Sequence, residues 1–279
     1  MKRLTSCIIL LLLVMASCEK VDLRGMFLAY ESVNSRFNDS MRWNEAHPAR
    51  EIVVEDDAYT LFVMGDSHVG GTDNLDIFFR DALAAGAHGA LMAGDLTTGR
   101  RKAYERFERH LPDPQSIALF PVAGNHDLYF NGWEEYYARL GSSTYLFTVQ
   151  TPEATDLYIC LDSGSATLGS KQLDWLRETL ESKRQDYRFC IVMTHNNFFR
   201  FRRTGSTNPL VEELHVLMDM FTRHNVNMLI TGHDHRRSDE VFGLTRYVTL
   251  DALLDGFKYA SYMVFTIENG EIGVEFVNI

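Results

Sequence analysis

The sequence predicts an α/β domain built from two packed β-sheets with helices on their outer faces. Between residues 59 and 230, short apolar runs of strand length alternate with segments of helical periodicity, which indicates strands buried on both faces. After His235 the pattern changes to strands joined by short turns, and Asn269-Gly270 is a strong hairpin signal. We find no internal repeat or linker between residues 51 and 279, so this region is interpreted as one domain.

Each predicted element follows from its local pattern. Residues 18–50 are interpreted as a tether, and residues 25–43 within it space apolar side chains at helical intervals, which predicts a helix packed on the outside of the domain. Residues 51–57 are an acidic, turn-rich entry to the domain. Further helices are predicted at residues 74–85, 101–110, 132–140, 169–182 and 209–224. Strands are predicted at residues 60–64, 89–93, 117–123, 145–149, 157–161, 187–193, 226–230, 241–242, 246–250, 261–267 and 272–277.

The charge of the chain limits its partners. The formal net charge is −11, and a surface this acidic argues against a nucleic-acid groove, which relies on lysine and arginine to neutralise phosphates. A small phosphate substrate is compatible with this charge, because bound metal cations can invert the local field.

The first 17 residues are predicted to be a signal peptide. Lys2 and Arg3 precede an apolar run that is well short of the ~20 residues needed to cross a bilayer. The residues Met15-Ala16-Ser17-Cys18 resemble a bacterial lipobox, with methionine where that motif usually has leucine. The resemblance implies an exported bacterial lipoprotein that is anchored to a membrane through a lipid on Cys18 and faces the periplasm or the cell surface. Ordinary signal cleavage near Ala16 is the alternative.

Of the four cysteines, Cys7 and Cys18 lie in the N-terminal segment, and the other two are expected to be core residues. Cys160 and Cys190 both lie inside apolar strand runs, and free cysteine is among the most buried residue types. The chain has no Cys-x-x-Cys pair, so a cysteine zinc site is not supported.

Polar residues with metal-binding side chains follow five of the predicted strands. The stretch LFVMGDSHVGG at residues 61–71 places Asp66 and His68 directly after an apolar run, and the same arrangement returns four times. The returns bring Asp95, Asn125 with His126 and Asp127, His195, and His233 with His235. Because α/β sheets bind ligands outside the carboxyl ends of their strands, we expect these side chains to converge. Their mixed oxygen and nitrogen donors suit divalent transition metals, and an aspartate can bridge two ions. A role in capping a turn would explain any one of these residues. It would not explain why such residues follow five strands of one chain.

These blocks resemble a known family. Asp66-x-His68, Gly94-Asp95, Gly124-Asn125-His126-Asp127, His195 and Gly232-His233-x-His235 are similar, in identity and order, to the signature blocks of calcineurin-like metallophosphoesterases. The resemblance runs from about Thr60 to at least His235 and implies a four-layer β-sandwich of two mixed sheets flanked by helices. It also implies two divalent transition metal ions (manganese, iron or zinc). Asp66, His68 and His235 would hold the first ion, Asn125, His195 and His233 the second, and Asp95 both.

The implied reaction is hydrolysis of a small phosphate mono- or diester by attack of a dimetal-bound hydroxide. His126 would not bind metal but would assist the leaving group. Asp127 would either orient His126 or stabilise its turn. Thr98 stands where protein Ser/Thr phosphatases have a second acidic residue and purple acid phosphatases a metal-binding tyrosine. The chain therefore looks most similar to the branch that holds cyclic-nucleotide phosphodiesterases and assorted bacterial phosphoesterases.

Two basic segments are candidate binding sites, and the sequence also leaves two alternative functions open. Residues 100–102 and 198–203 could bind phosphate or an aromatic base, or they are a helix start and a solvated loop. Gly65-Asp66-Ser67 matches the opening block of GDS-type serine esterases, with Ser67 as nucleophile, but the Asp-x-x-His that such enzymes need is missing. A non-catalytic, metal-stabilised binding lipoprotein is the other alternative.

Overall fold

The computed structural model describes residues 27–199 and 208–279. The predicted signal peptide, Cys18 and residues 200–203 of the second basic segment lie outside the described residues. Within the two described ranges, none of the helices has the length and apolar character needed to cross a bilayer.

Helices and strands follow the predicted order closely. The α-helices of the described ranges are α1 (Val33–Ala46), α2 (Asp73–Ala84), α3 (Arg101–Arg109), α4 (Trp133–Leu140), α5 (Gly169–Lys183) and α6 (Val211–Arg223). The first six strands are β1 (Arg50–Val53), β2 (Tyr59–Met64), β3 (Gly89–Met92), β4 (Ala118–Pro121), β5 (Tyr145–Gln150) and β6 (Thr155–Cys160). The other six are β7 (Cys190–Met193), β8 (Met228–Thr231), β9 (Ser238–Phe242), β10 (Thr245–Thr249), β11 (Ser261–Glu268) and β12 (Glu271–Asn278).

The strands form two mixed sheets. One has seven strands in the order β1-β5-β6-β7-β8-β10-β9, and the other has five in the order β12-β11-β2-β3-β4. In the larger sheet β6, β7, β8 and β10 are parallel, and in the smaller sheet β2, β3 and β4 are parallel. The predicted fold of two mixed sheets flanked by helices is therefore confirmed.

Three apolar cores separate the four layers. The core between the sheets takes side chains from both, and a stacked pair, Phe120 of β4 and Phe147 of β5, spans it with ring centroids 3.7 Å apart. Helices α2, α3 and α4 cover the outer face of the smaller sheet, and α5 and α6 cover that of the larger sheet. Burial on both faces is why the central strands show unbroken apolar runs in the sequence.

The cysteines are placed as predicted. Cys160 faces the core between the sheets, whereas Cys190 faces the core under α5 and α6. Both are free thiols, and burial raises the pKa of each to about 12, so both behave as small apolar side chains.

Two elements near the N-terminal end of the domain differ from their predictions. Residues 50–53 form strand β1, which pairs in parallel with β5, although this region was predicted to be a turn-rich entry. Only Ile52 of that strand is buried, so its sequence carries little strand signal. The predicted helix at residues 25–43 is present as α1 but begins at Val33, where the Ser32 hydroxyl accepts a hydrogen bond from the N–H of Ser35.

The C-terminal hairpin is confirmed in detail. β11 and β12 pair antiparallel with Glu268 opposite Glu271, which leaves Asn269 and Gly270 as a two-residue loop. Both loop residues have positive φ, 53° and 74°, as a type I′ turn requires.

Helix α1 is attached to the domain by a buried ion pair. The guanidinium of Arg36, which is 1% exposed, donates to both oxygens of Asp162, with distances of 2.7 and 3.2 Å. It also donates to the Glu31 carbonyl at 2.8 Å and to the Ser165 hydroxyl at 3.0 Å. Two opposite charges removed from water in this way depend on each other, because either one alone would be an uncompensated buried charge.

We expect Asp162→Asn to lower the free energy of unfolding by about 3–5 kcal/mol, because it leaves Arg36 buried without a counter-charge at almost unchanged volume. Urea denaturation followed by circular dichroism would measure it. The matched control is Asp174→Asn, which breaks an exposed ion pair with Arg177 and should cost less than about 1 kcal/mol. Equal losses in the two variants would contradict the assignment.

Candidate active site

Five strand ends from both sheets meet at one place. Asp66, Asp95 and Asn125 follow β2, β3 and β4 of the smaller sheet. His195 and His233 follow β7 and β8 of the larger sheet. The strands concerned are parallel within each sheet, so their carboxyl ends share an edge, which is where α/β sheets place their ligands.

Hydrogen bonds hold these loops against one another across the gap between the sheets. The backbone N–H of His233 donates to Asp66 Oδ2 at 2.8 Å, which joins the loop after β8 to the loop after β2. His195 Nδ1 lies 2.9 Å from the Ala93 carbonyl, which accepts its proton and leaves Nε2 facing the centre of the site. The two sheets are thus fixed to each other by residues of the site itself.

The first group of potential ligands is Asp66, His68 and His235. His235 Nε2 lies 3.1 Å from Asp66 Oδ1 and 3.1 Å from His68 Nε2, and His68 Nε2 lies 3.7 Å from Asp66 Oδ1. Asp66 Oδ1 is buried and accepts no well-formed hydrogen bond, although His235 Nε2 lies 3.1 Å away, whereas Oδ2 of the same carboxylate accepts one. A buried carboxylate oxygen with so little hydrogen bonding is costly, and a cation at this point would satisfy it.

The second group surrounds His195. Its Nε2 lies 3.1 Å from His233 Nδ1, 3.2 Å from Asn125 Oδ1 and 3.3 Å from Asp95 Oδ2. All four residues are buried. An imidazole nitrogen, an amide oxygen and a carboxylate oxygen this close to His195 Nε2 form with it a donor set suited to a divalent transition metal.

Asp95 lies between the two groups. Its Oδ1 accepts a 2.7 Å hydrogen bond from the backbone N–H of His126. Its Oδ2 faces the site, at 3.3 Å from His195 Nε2 and 3.7 Å from His68 Nε2. One carboxylate oxygen therefore faces a ligand atom of each group.

The electrostatics of the protein groups favour ionised aspartates. Burial opposes ionisation of Asp66 and Asp95, but His235 lowers the pKa of Asp66, and His195 and His126 hold that of Asp95 well below its usual range. Burial also lowers the pKa of His68 to about 3, which keeps that imidazole neutral and able to coordinate a metal. His195 differs: burial acts against its charged form, but Asp95 raises its pKa to about 9, so a cation binding there would displace a proton.

The backbone of the site is strained. Asp66, His68, Asp95, His233 and His235 all have positive φ, between 41° and 72°. This region is uncommon for residues other than glycine, and such strain concentrates at functional sites. The glycines of the motifs are explained by their close contacts with the same aspartates. A Cβ on Gly124 would lie 2.2 Å from Asp95 Oδ1, and one on Gly232 would lie 2.4 Å from Asp66 Oδ2.

His126 is the most exposed imidazole of the convergent groups. Its side chain is 23% exposed, and its Nε2 lies 4.0 Å from Asp95 Oδ2. The ring is perpendicular to that of His68, with centroids 4.5 Å apart, and rests against the Tyr129 ring at 4.7 Å. Together with His68 and Asp95 it forms a further set at metal-binding distance. Its Nε2 lies farther from Asp95 Oδ2 than those of His195 and His68, whereas its exposure is close to the 22% of His235.

Asp127 stabilises the turn. Its carboxylate accepts hydrogen bonds from the N–H groups of Gly124, Leu96 and Thr97 and from the Thr97 hydroxyl, at 2.8–3.1 Å. Of the two roles considered for it, orienting His126 or stabilising the loop, these bonds favour the second. They tie the loop after β3 to the loop after β4, and with it Asp95 to Asn125.

Some supporting residues had no sequence signal. Ser163 accepts hydrogen bonds at its hydroxyl from the N–H groups of His195, at 3.2 Å, and Asn196, at 2.8 Å, and it lies in a loop without a motif. Tyr129 follows a recognisable block, but only the fold shows its ring beside His126. A serine that orients a metal-ligand loop from a distant loop leaves no local pattern.

The other candidates from the sequence are engaged in other contacts. Ser67 is 4% exposed and donates its hydroxyl to the Leu96 carbonyl at 2.9 Å, which opposes a nucleophilic role. Phe198 and Phe199 pack against Tyr247 of β10. The Arg100 guanidinium lies 3.6 Å from the centroid of the Phe130 ring.

A family model described as calcineurin-like phosphoesterase matches residues 59–237, and the chain belongs to this family. Fold, site and family together define a hydrolase that acts on phosphoric ester bonds. No curated protein matches the chain.

Solved structures show the same fold at low sequence identity. A dimetal phosphatase from Danio rerio is 14% identical with a TM-score of 0.63, covering 79% of this chain and 96% of that one. A phosphatase from Mycoplasma pneumoniae is 13% identical with a TM-score of 0.51, covering 80% and 93%. The anchor in the inner membrane complex of Plasmodium is 12% identical with a TM-score of 0.62, covering 79% and 84%.

Proposed function

We propose that this chain is a two-metal phosphoesterase that hydrolyses a phosphate mono- or diester. The observation that supports this most directly is the position of Asp95, whose Oδ2 faces ligand atoms of both groups. The buried Asp66 Oδ1, which accepts no well-formed hydrogen bond, and the mixed nitrogen and oxygen donors fit divalent ions at both places. One ion would be held by Asp66, His68 and His235, and the other by Asn125, His195 and His233. Asp95 would bind both ions. Such ions, when bound, lower the pKa of water and neutralise charge on phosphoryl oxygens.

The residues of the chain would then divide the remaining work. Attack of water on phosphorus breaks the bond to the leaving oxygen, which needs a proton. His126 is exposed enough to reach that oxygen, and its backbone N–H is fixed by Asp95 Oδ1. The residue that would join the ions therefore also places the general acid.

The fold does not distinguish an enzyme from a binding protein, because one structure with this fold is named as an anchor and another as a phosphatase. The site favours catalysis, since a protein that only bound metal would have no need of a partly exposed His126 beside the ligands. The test is metal analysis of the purified protein followed by a panel of phosphate mono- and diesters. Fully metallated protein that hydrolyses none of them would favour the binding function.

Removal of one ligand should affect one metal site more than the other. We expect His68→Ala and His235→Ala to weaken the same ion by more than about 100-fold, and His195→Ala to weaken the other one, because direct ligands contribute at least as much as their supporting residues. Calorimetric titration of the metal-depleted protein would measure this. His110→Ala, which removes an imidazole that is hydrogen-bonded to Asp76 outside both metal groups, is the control and should change neither site. Identical effects of His235→Ala and His195→Ala on both ions would contradict the assignment.

His126→Ala should lower kcat by about 10²–10⁴-fold for alkyl phosphate esters while the metal content stays unchanged. The loss should be smaller for a 4-nitrophenyl ester, whose leaving group departs without a proton. Steady-state kinetics with both esters would show the difference. Ser67→Ala should keep its activity, and loss of activity there, with His126→Ala active, would favour the serine esterase instead.

We also propose that the protein is a lipoprotein held to a membrane by a lipid on Cys18. Cys18→Ser should then move the protein from the membrane fraction to the soluble fraction when it is expressed in a bacterial host. Cys7→Ser replaces the other cysteine of the same segment and should leave fractionation unchanged. A Cys18→Ser protein that still sediments with membranes would disprove the lipid anchor.

A further inference from the structure

An open cavity of about 580 Å³ lies directly beside the first metal group. Its wall includes His235, Arg237, Asp251, Phe257 and Tyr259. Pockets for small molecules have volumes of about 300–1,000 Å³, so this space can hold more than a phosphoryl group. Because His235 belongs both to the wall and to the first metal group, the cavity is continuous with the site of reaction.

One side of the cavity is aromatic. The ring of Phe257 stands edge-on to that of His235, with centroids 6.2 Å apart, and the ring of Tyr259 stands edge-on to Phe257 at 6.1 Å. Tyr259 is 58% exposed, and Lys258 Nζ lies 5.0 Å from the centroid of its ring. Neither aromatic residue is part of the three cores formed by the described residues. Packing within the domain therefore does not account for Tyr259.

The loop that presents these rings is fixed to the metal site. The Asp255 carboxylate accepts hydrogen bonds from the N–H groups of Asp73 and Asn74 at the start of α2, at 3.0 and 2.9 Å. The Asn74 side chain donates back to the carbonyls of Leu253 and Leu254, both at 3.1 Å. The Leu253 N–H donates to the carbonyl of Gly65, the residue before Asp66, at 3.0 Å. The aromatic wall thus keeps a constant position relative to the first metal group.

The polar side of the cavity includes a neutralised ion pair. Asp251 accepts a 2.7 Å hydrogen bond from the backbone N–H of Arg237, and Arg237 Nε lies 2.8 Å from its other oxygen. The Ser261 hydroxyl donates to the same carboxylate at 2.9 Å. The other charged residues of the wall are Asp234 and Arg236, so its two acidic and two basic side chains balance in formal charge. The phosphate therefore belongs at the metal side, and the cavity suits an uncharged part of the substrate.

We propose that this cavity binds a flat heteroaromatic ring carried by the alcohol half of the ester, stacked against Tyr259 and Phe257. The substrate class would then be phosphate esters of nucleoside-like alcohols. This inference rests on the proposed phosphoesterase function and adds the group that is recognised. Base stacking on an aromatic side chain is sequence-tolerant, and its loss weakens binding by roughly tenfold.

A matched pair of substrates tests the stacking. Adenosine 5′-monophosphate and ribose 5-phosphate carry the same phosphate on the same kind of alcohol and differ by the base; for an enzyme that accepts only diesters, their methyl esters serve. We expect wild type to prefer the ester with the base, and Tyr259→Ser to reduce the ratio of the two kcat/KM values roughly tenfold. The control is Tyr30→Ser, which removes another exposed tyrosine and should leave the ratio unchanged.

The ratio separates recognition from support of the metal group. If Phe257→Leu and Tyr259→Ser slow both substrates equally, the rings only position His235, and the proposal is overturned. An unchanged ratio in both variants overturns it as well.

Binding of adenosine gives a readout that does not depend on turnover. Adenosine has no phosphate, so calorimetric titration should detect it in wild type and show roughly tenfold weaker binding to Tyr259→Ser, while ribose should not bind measurably. Adenosine binding without hydrolysis of any ester would refute the proposed function and keep the aromatic site. Hydrolysis of esters without adenosine binding or a base preference would support the proposed function and refute the aromatic site.

Discussion

Two buried carboxylates with divided roles hold this site together. Each uses one oxygen to bind a backbone N–H of a distant loop: Asp66 Oδ2 binds that of His233, and Asp95 Oδ1 binds that of His126. The other oxygen of each faces the imidazoles of the site. Since Asp66 belongs to the smaller sheet and His233 to the larger, the bond between them fixes how the strand ends of the two sheets meet. The carboxylates that would bind cations are therefore also part of the structural framework.

This arrangement has a cost, part of which a ligand would offset. Five residues of the site have left-handed backbone conformations, and Asp66 Oδ1 accepts no well-formed hydrogen bond. His195 lies close to both Asp95 and His233. Strain of this kind persists where the surrounding structure fixes it, and here two sheets buried on both faces supply that rigidity. Metal binding would relieve the electrostatic part of the cost, so metal affinity and stability should be coupled in this protein.

Much of the fold and the convergence of the site could be predicted because both rest on local patterns. Strands buried on both faces give continuous apolar runs, and the loops after these strands carry glycine, aspartate, asparagine and histidine in a recognisable order, as in Gly232-His233-x-His235. Strand β1 escaped prediction because only Ile52 is buried in it, so its identity depends on pairing with β5. The role of Asp127 was undecided because its hydrogen-bond partners at Leu96 and Thr97 are about 30 residues away. The aromatic wall could not be foreseen either, because nothing in the sequence around Phe257 tells that this loop is held to Gly65.

The same distant connections extend to the N-terminal segment. Arg36 of α1 holds Asp162 in the domain interior, and the next residue, Ser163, accepts the backbone N–H of His195. Helix α1 of the predicted tether is therefore connected to the potential metal ligand His195 through Asp162 and Ser163. A segment that only linked a lipid to the domain would need no buried arginine, whereas a segment that also supports the loop after β6 does. A fold does not by itself determine the chemistry of a protein, and here the chemistry depends on such connections between loops.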